Sequence, residues 1–139
     1  MKKFLKKTIC LSFISFYLLK IDQIQSLVPY YYLPTKKTLN RESLSIGRNA
    51  YQLLYFGQYE QSLNLAKLAV QINKNDEKLW LILSEAQAAN ELYKNALFSI
   101  NKAQKINSKN SETYFAKSNI YLKIAELENA KTALETGLR

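Results

Sequence analysis

A 34-residue period in small side chains constrains the fold of this chain more than any other feature. When the sequence is written in three rows that begin at Ser43, Glu77 and Ser111, small residues align in three columns. Two helices whose axes cross closely need small side chains at the crossing, because the interaxial distance depends on the side chains there. The columns therefore predict where helices pack within and between repeats. These repeat-packing positions are Ala50, Ser84 and Ser118, then Ser62, Ala96 and Ala130, then Ala69, Ala103 and Gly137.

Larger side chains keep the same period. One column contains Ile46, Trp80 and Tyr114, and a second contains Tyr59, Tyr93 and Leu127. A 34-residue repeat with small and aromatic residues at these offsets resembles the tetratricopeptide repeat (TPR) family over residues 43–139. The resemblance implies an all-α fold, a right-handed helix-turn-helix solenoid of about three repeats at 43–76, 77–110 and an incomplete 111–139. It also implies a protein-binding surface without an active site of its own.

Two positions depart from the TPR pattern. The glycine that the family places before the turn inside each repeat is kept at Gly57 but replaced by Glu91 and Ala125. The proline late in the family's repeat is replaced by Lys74 and Ser108. The register nevertheless continues through all rows without an insertion. It predicts helices at 41–56, 59–72, 76–90, 93–107, 110–125 and 127–138.

The resemblance further implies that the first helix of each repeat lines a concave groove, which suits a bound peptide or helix. Tyr51 and Phe115 are the favoured contacts, because aromatic residues are enriched at binding hot spots. Leu54 and Leu122 lie in groove-facing columns as well, but we interpret both as core residues. The candidate groove residues are Tyr51, Tyr55, Lys78, Leu81, Glu85, Phe115, Asn119 and Lys123.

One known mode of TPR recognition does not match this chain. TPR domains that bind the C-termini of chaperones hold two carboxylates with a clamp of Lys, Asn and Arg side chains. At the matching columns this chain has Gly47, Tyr51, Ile82, Glu112 and Ala116. The missing clamp argues against docking of a chaperone tail and leaves another protein or peptide as the expected partner.

The composition argues against catalysis and against a metal or a cofactor. The chain has no histidine and one cysteine, whereas a structural zinc site needs about four Cys or His ligands. Its three glycines are isolated, so the sequence contains no glycine-rich phosphate loop. Asp76 and Glu77 stand at a predicted helix start, where we interpret them as a cap and not as an acid/base pair. We therefore predict no catalytic residue, no metal site and no cofactor.

The first 26 residues are predicted to be a signal peptide. Met1–Lys7 carries four lysines, and Ile9–Leu19 is an almost unbroken apolar run. A basic start followed by about 7–15 apolar residues is typical of a secretory signal, whereas a spanning helix needs about 20. The alternative is an uncleaved short membrane anchor with snorkelling lysines. In both cases the repeats are expected on the exported side, in a periplasm or thylakoid lumen or associated with a membrane.

Residues 27–40 are predicted to be an extended linker, because Pro29 and Pro34 disfavour a helix there. Its consecutive tyrosines at 30–32 have two interpretations that stay open. They form either a cap over the first repeat or an arm that docks on a partner or a membrane interface. Thr38 and Asn40 are the predicted N-caps of the first helix.

The net charge of +9 divides between the two parts of the chain. Residues 1–26 hold five lysines and one aspartate, while residues 27–139 hold fifteen basic and ten acidic residues. In the second part the basic residues are spread along the helices, and only Lys36 and Lys37 form a close pair. Nucleic-acid binding calls for a clustered basic stripe, so we expect no nucleic-acid partner. A weak, salt-sensitive attraction to an anionic membrane surface stays as an alternative.

The last predicted helix leads to a second hypothesis about function. Ala130, Ala133, Leu134 and Leu138 are expected to form an unshielded apolar face, whereas a terminal repeat normally has a polar outer face. Self-association through this C-terminal face would make the chain a structural envelope protein. This is the alternative to an interaction scaffold.

A closer resemblance concerns the layout of the whole chain. A short membrane-directing segment, a small three-repeat array and the stretch Ser45–Gly57 are similar to small cyanobacterial and plastid-type TPR proteins. Some of those proteins are linked to the assembly of photosystem I. The resemblance implies a non-catalytic adaptor that assists assembly of a membrane complex such as photosystem I.

Overall fold

The computed structural model describes residues 35–139, so the predicted signal or anchor at 1–26 and the tyrosines at 30–32 lie outside the described part. Within residues 35–139 the chain forms six α-helices and no strand. They are α1 (Lys36–Tyr55), α2 (Tyr59–Ile72), α3 (Glu77–Ala89), α4 (Tyr93–Ile106), α5 (Ser111–Lys123) and α6 (Leu127–Gly137). None of these six helices is both long and apolar enough to cross a membrane. The predicted all-α fold is confirmed, and every helix after α1 begins within one residue of its predicted position.

The start of α1 differs from the prediction. Thr35 is extended, with φ −67° and ψ 157°, and its side-chain hydroxyl oxygen accepts a hydrogen bond from the backbone N–H of Thr38 at 3.2 Å. The predicted caps Thr38 and Asn40 are therefore wrong, and residues 36–40 of the predicted linker are helical. Lys36–Asn40 contains no proline or glycine that would stop a helix, so the first capping hydroxyl after Pro34 starts it.

Consecutive helices pair as three hairpins, α1–α2, α3–α4 and α5–α6. The hairpins stack, because α2 packs on α3 and α4 packs on α5. The first helices α1, α3 and α5 also pack side by side. We call these three helices the inner layer, and all the predicted groove residues lie on it.

Two apolar clusters fill the junctions between hairpins. The first surrounds Leu79, which is almost completely buried, and includes Ala50 and Ala69 of the preceding hairpin. The second surrounds the fully buried Ile100 and includes Ala116 of the following hairpin. Each cluster draws residues from two hairpins, so a single hairpin cannot bury its apolar face alone.

The repeat-packing columns occupy the helix crossings of this stack. Ala50, Ser62, Ala69, Ser84, Ala96, Ala103, Ser118 and Ala130 are buried, and Gly137 is half-buried. Ser62 fits its crossing because its hydroxyl donates a hydrogen bond to the backbone carbonyl of Ala50 at 2.8 Å. A Cβ atom added at Gly137 would lie 2.7 Å from Cβ of Tyr114, so α5 and α6 approach at a distance that only glycine allows.

The turns inside the hairpins share one backbone conformation in spite of their different residues. Gly57, Glu91 and Ala125 occupy equivalent positions, and their φ angles are 75°, 62° and 61°. This left-handed region strains residues that carry a Cβ atom. The hairpin geometry therefore holds Glu91 and Ala125 in a conformation that suits glycine.

The turns between the hairpins are fixed by side chains that repeat with the same period. The side chains of Asn73 and Asn107 each accept a hydrogen bond from the backbone N–H two residues later, at 3.1 Å. Trp80 and Tyr114 each donate to the carbonyl oxygen six residues earlier, at 2.8 and 3.0 Å. These hydrogen bonds stabilise turns that lack the proline of the TPR pattern.

Candidate partner groove

The exposed side of the inner layer holds two adjoining concavities. The first, of about 470 Å³, brings together residues from all three inner helices. Four of the predicted groove residues line it, and these are Tyr51, Lys78, Leu81 and Glu85. The other lining residues are Arg48, Gln52, Ile82 and Glu112.

The second concavity, of about 270 Å³, lies further along the inner helices towards their C-terminal ends. It brings together the predicted residues Glu85, Asn119 and Lys123. The remaining residues that line it are Leu54, Tyr59, Ala88, Ala89, Ala116 and Ile120. Glu85 lines both concavities, and we call the two together the partner groove.

Tyr55 and Phe115 do not line the partner groove. Tyr55 ends α1, is 81% exposed and packs edge-on against Phe56, with ring centroids 5.5 Å apart. Phe115 is 38% exposed, whereas Leu81 at the equivalent position of α3 is only 5% exposed. The difference arises because α5 covers part of α3, and no further inner helix covers α5 within residues 35–139.

Several residues that line the partner groove were missed by the sequence prediction. Arg48 precedes Tyr51 by three residues, and Glu112 precedes Asn119 by seven residues. Residues three or seven apart lie on one helix face, so the spacing contained a usable signal. Tyr59 carried no such signal, because it belongs to α2 and reaches the partner groove only through the turn of the first hairpin.

The two leucines interpreted as core differ in the structure. Leu54 is half-buried and lines the second concavity. Leu122 is 53% exposed, so the prediction of a core residue is wrong for it. As with Phe115, the last described inner helix has an open side, and that side includes Leu122.

The predicted apolar C-terminal face is corrected in part. Ala130 and Ala133 are buried against the rest of the last hairpin, because they face α5. Leu134 and Leu138 are exposed, at 40% and 70%. The exposed part of this face is therefore smaller than the sequence predicted.

Burial changes the electrostatics of the partner groove at Glu85. Burial, and to a lesser extent the nearby Glu112 carboxylate, raises the pKa of Glu85 from 4.5 to about 7. Removing an anion from water and placing it near another anion both disfavour the charged form. The centre of the partner groove therefore holds a carboxyl group that titrates near neutral pH.

Asp76 and Gly47 have structural explanations, and the described residues contain no candidate metal site. The side chain of Asp76 accepts a hydrogen bond from the backbone N–H of Lys78 at 2.9 Å, as the predicted cap of α3. Residues 35–139 contain no group of three or more Cys, Asp or Glu residues that could hold a metal ion. At Gly47, one of the clamp columns, an added Cβ atom would lie 2.5 Å from Cδ2 of the buried Leu79. A clamp side chain at this position therefore requires the Leu79 side chain to shift.

Comparisons with known proteins identify the fold through solved structures. No family model matches the chain, and no curated protein matches its sequence. The Arabidopsis OM64 TPR domain is similar with a TM-score of 0.68 and 15% identity, over 72% of this chain and 83% of that one. The second TPR of Spaghetti (RPAP3), bound to an HSP90 peptide, has a TM-score of 0.65 and 16% identity, over 71% of this chain and 92% of that one.

A bacterial structure is similar to about the same degree. The Yersinia enterocolitica type III secretion chaperone SycD, in complex with a peptide of the translocator YopD, has a TM-score of 0.62 and 19% identity. The match covers 67% of this chain and 71% of that one. The fold is the helical-hairpin solenoid of TPR domains. The predicted fold class is thereby confirmed, and the TPR fold explains why the inner layer is concave.

Proposed function

We propose that this protein is a non-catalytic interaction scaffold that binds a peptide segment of another protein in its partner groove. The observation that carries the proposal is the pair of adjoining concavities along α1, α3 and α5, which meet at Glu85. Together they form an elongated surface with apolar walls and a few polar groups, as peptide-binding sites require. Two solved structures with the same fold contain bound peptides, one of HSP90 and one of YopD.

The proposed peptide is one that places apolar side chains along the partner groove. Leu54, Leu81 and Ile82 provide apolar contacts, and the ring of Tyr51 is 54% exposed. An exposed aromatic ring beside apolar side chains is typical of a binding hot spot. The acidic tail of a chaperone is a poor ligand here, because Gly47 and Glu112 occupy columns where a clamp would present basic or amide side chains.

The location and the cellular process that we propose are inferred from the sequence. We propose that the scaffold acts on the exported side of a membrane, because residues 1–26 combine four early lysines with an apolar run. The similarity of Ser45–Gly57 to small cyanobacterial and plastid-type TPR proteins supports assembly of a membrane complex such as photosystem I as the process. Self-association through Leu134 and Leu138 is the alternative, and exposure of both side chains favours it.

The test compares two tyrosines of one helix. The full-length protein and its Tyr51→Ala and Tyr55→Ala variants are used to capture partners from native membranes in mild detergent. Tyr55 is the matched control, because it is more exposed than Tyr51 and lines neither concavity. We expect the Tyr51→Ala variant to lose the partner and the Tyr55→Ala variant to keep it.

Partner capture and light scattering of the purified protein together distinguish an interaction scaffold from a self-associating protein. Capture of the same partner by all three proteins would contradict a role for the partner groove. If only copies of the protein itself are recovered, and Leu134→Ser with Leu138→Ser turns oligomers into monomers, the self-association alternative is supported. The intact mass of the recovered protein also shows whether residues 1–26 have been removed.

A further inference from the structure

Glu85 is chemically unlike the residues that occupy its place in the other repeats. Tyr51, Glu85 and Asn119 are separated by 34 residues and form one column of the inner layer. Glu85 is the only charged residue of the three, and it stands where the two concavities of the partner groove meet. A ligand that occupies the whole partner groove must therefore pass over Glu85.

The carboxylate of Glu85 has no partner of its own within residues 35–139. The side chain is half-buried, and the hydrogen bonds of the described residues leave its oxygens free. An ionised carboxylate that has lost part of its hydration and gained no hydrogen bond in exchange is destabilised. A donor supplied by a ligand would remove that destabilisation.

The charges that face Glu85 come from every inner helix. Arg48 on α1 and Lys78 on α3 line the first concavity, and Lys123 on α5 lines the second. The charge that raises the pKa of Glu85 is nevertheless another carboxylate, that of Glu112 on α5. The neutral polar groups that line the two concavities are the phenols of Tyr51 and Tyr59 and the amides of Gln52 and Asn119. Arg48, Lys78 and Glu112 are exposed, whereas Glu85 is half-buried, so Glu85 is the most deeply placed charged residue of the first concavity.

We propose that the centre of the partner groove binds a Lys or Arg side chain of an otherwise apolar peptide, held between Glu85 and Glu112. This proposal rests on the function proposed above and specifies the ligand. The apolar residues Leu81, Ile82 and Leu54 would hold the neighbouring side chains of the peptide. A cation between two carboxylates relieves their mutual repulsion and forms charge-assisted hydrogen bonds with both.

The proposal has a pH dependence with a defined sign. The free protein ionises Glu85 as the pH rises through about 7. A bound cation favours the ionised carboxylate, so it lowers the pKa of Glu85 in the complex. Affinity for the basic peptide is therefore highest above pH 7 and falls, by at most about tenfold per pH unit, as the pH decreases below 7.

The experiment measures binding of immobilised peptide libraries to the full-length protein at pH 8 and at pH 5.5. Each library is a degenerate set of ten-residue peptides built from Leu, Ala and Tyr. The central residue is Lys in one library, Gln in the second and Glu in the third. The Glu85→Gln variant tests the site, and Glu135→Gln is the matched control, because Glu135 is exposed on α6 and lines neither concavity.

At pH 8 we expect the natural protein to bind the Lys library about tenfold more tightly than the Glu library, since like charges in contact are strongly disfavoured. Glu85→Gln should reduce this preference to less than about threefold while binding of the Gln library persists, and Glu135→Gln should keep it. The preference should also shrink at pH 5.5. The matched volume of Gln keeps the fold, and a circular dichroism spectrum checks this.

The other outcomes separate the two proposals. Binding of all three libraries with equal affinity, or an unchanged preference in Glu85→Gln, would overturn the basic-ligand proposal and leave the partner groove as a peptide site. Stronger binding of the Glu library would overturn it as well and point to Arg48 and Lys78 as the polar contacts. If no library binds the natural protein at either pH, both proposals fail.

Discussion

Two adjacent columns of the same three helices differ completely in their chemistry. Ala50, Ser84 and Ser118 are small and buried at every repeat. The next residue along each helix is Tyr51, Glu85 or Asn119. These residues carry an aromatic ring, a carboxyl group and an amide. Only small side chains fit a helix crossing, whereas the concave surface imposes no common size. The buried column therefore maintains the helix packing, whereas the side chains of the neighbouring column can differ between repeats and determine which ligand binds.

The largest expected effect comes from deleting a buried side chain at a junction between hairpins. Leu79 is 1% exposed at the centre of the first apolar cluster, so Leu79→Ala should lower the free energy of unfolding by about 2–5 kcal/mol. Leu122→Ala is the control on the open side of α5, where loss of the exposed side chain should lower the free energy of unfolding by less than about 1 kcal/mol. Urea denaturation followed by circular dichroism measures both. Equal losses of unfolding free energy in the two variants would contradict the difference in burial between Leu79 and Leu122.

A smaller loss is expected when the packing column is enlarged. Ala50 is fully buried, and the Ser62 hydroxyl donates to its carbonyl oxygen, so Ala50→Leu should destabilise the fold by about 1–3 kcal/mol. The neighbouring substitution Tyr51→Ala should change stability by less than about 0.5 kcal/mol, although it is expected to abolish partner binding. The same denaturation experiment compares the two. If Tyr51→Ala is the more destabilising variant, Tyr51 is a packing residue and not a binding residue.

The next effect concerns pH and the carboxyl group of Glu85. Its pKa is about 7 in the folded protein and near 4.5 when unfolded, so the folded state binds more protons between these values. The contribution of Glu85 to stability is therefore complete below about pH 4.5 and is lost as the pH rises to about 7. Because water reaches the half-buried group, we expect a loss on the order of 1 kcal/mol. Unfolding curves of the natural protein and of Glu85→Gln between pH 5 and 8 should converge at low pH, and parallel curves would contradict the shift.

The smallest effect is expected in the hairpin turns. Glu91 and Ala125 have positive φ angles, so Glu91→Gly and Ala125→Gly should each stabilise the protein by about 0.5–1 kcal/mol. Gly57→Ala at the equivalent turn should destabilise it by a similar amount, since nothing lies within 4 Å to complicate the comparison. Thermal unfolding of the three variants provides the measurement. A loss of stability in both glycine variants would show that the side chains, and not the backbone, control these turns.

Much of the fold could be predicted from the sequence, because the fold depends on local spacing. The turns at Gly57, Glu91 and Ala125 fall at one offset, so the helix boundaries near them were predictable without tertiary information. The start of α1 could not be predicted in the same way, because Thr35, Thr38 and Asn40 are all good N-cap residues. The choice among them depends on which residue first leaves the extended conformation after Pro34.

The candidate site could be predicted only in outline. The resemblance to TPR proteins identified Tyr51 and Glu85, but it also selected Tyr55 and Phe115, which lie on exposed faces outside the partner groove. A single-helix pattern reports the face of a helix and not what covers that face. Leu81 and Phe115 share a column, yet one is buried and the other is partly open because their neighbours differ.

The sequence by itself determined the helices, their pairing into hairpins and the three-repeat stack, because each depends on residue types at a fixed 34-residue interval. The tertiary structure alone decided the environment of Glu85. Its half-burial, its approach to Glu112 and its place between two concavities involve side chains from α1, α3 and α5 at once. Solvation and charge at a point in space depend on every neighbour within a few ångströms, and no interval along the chain encodes them.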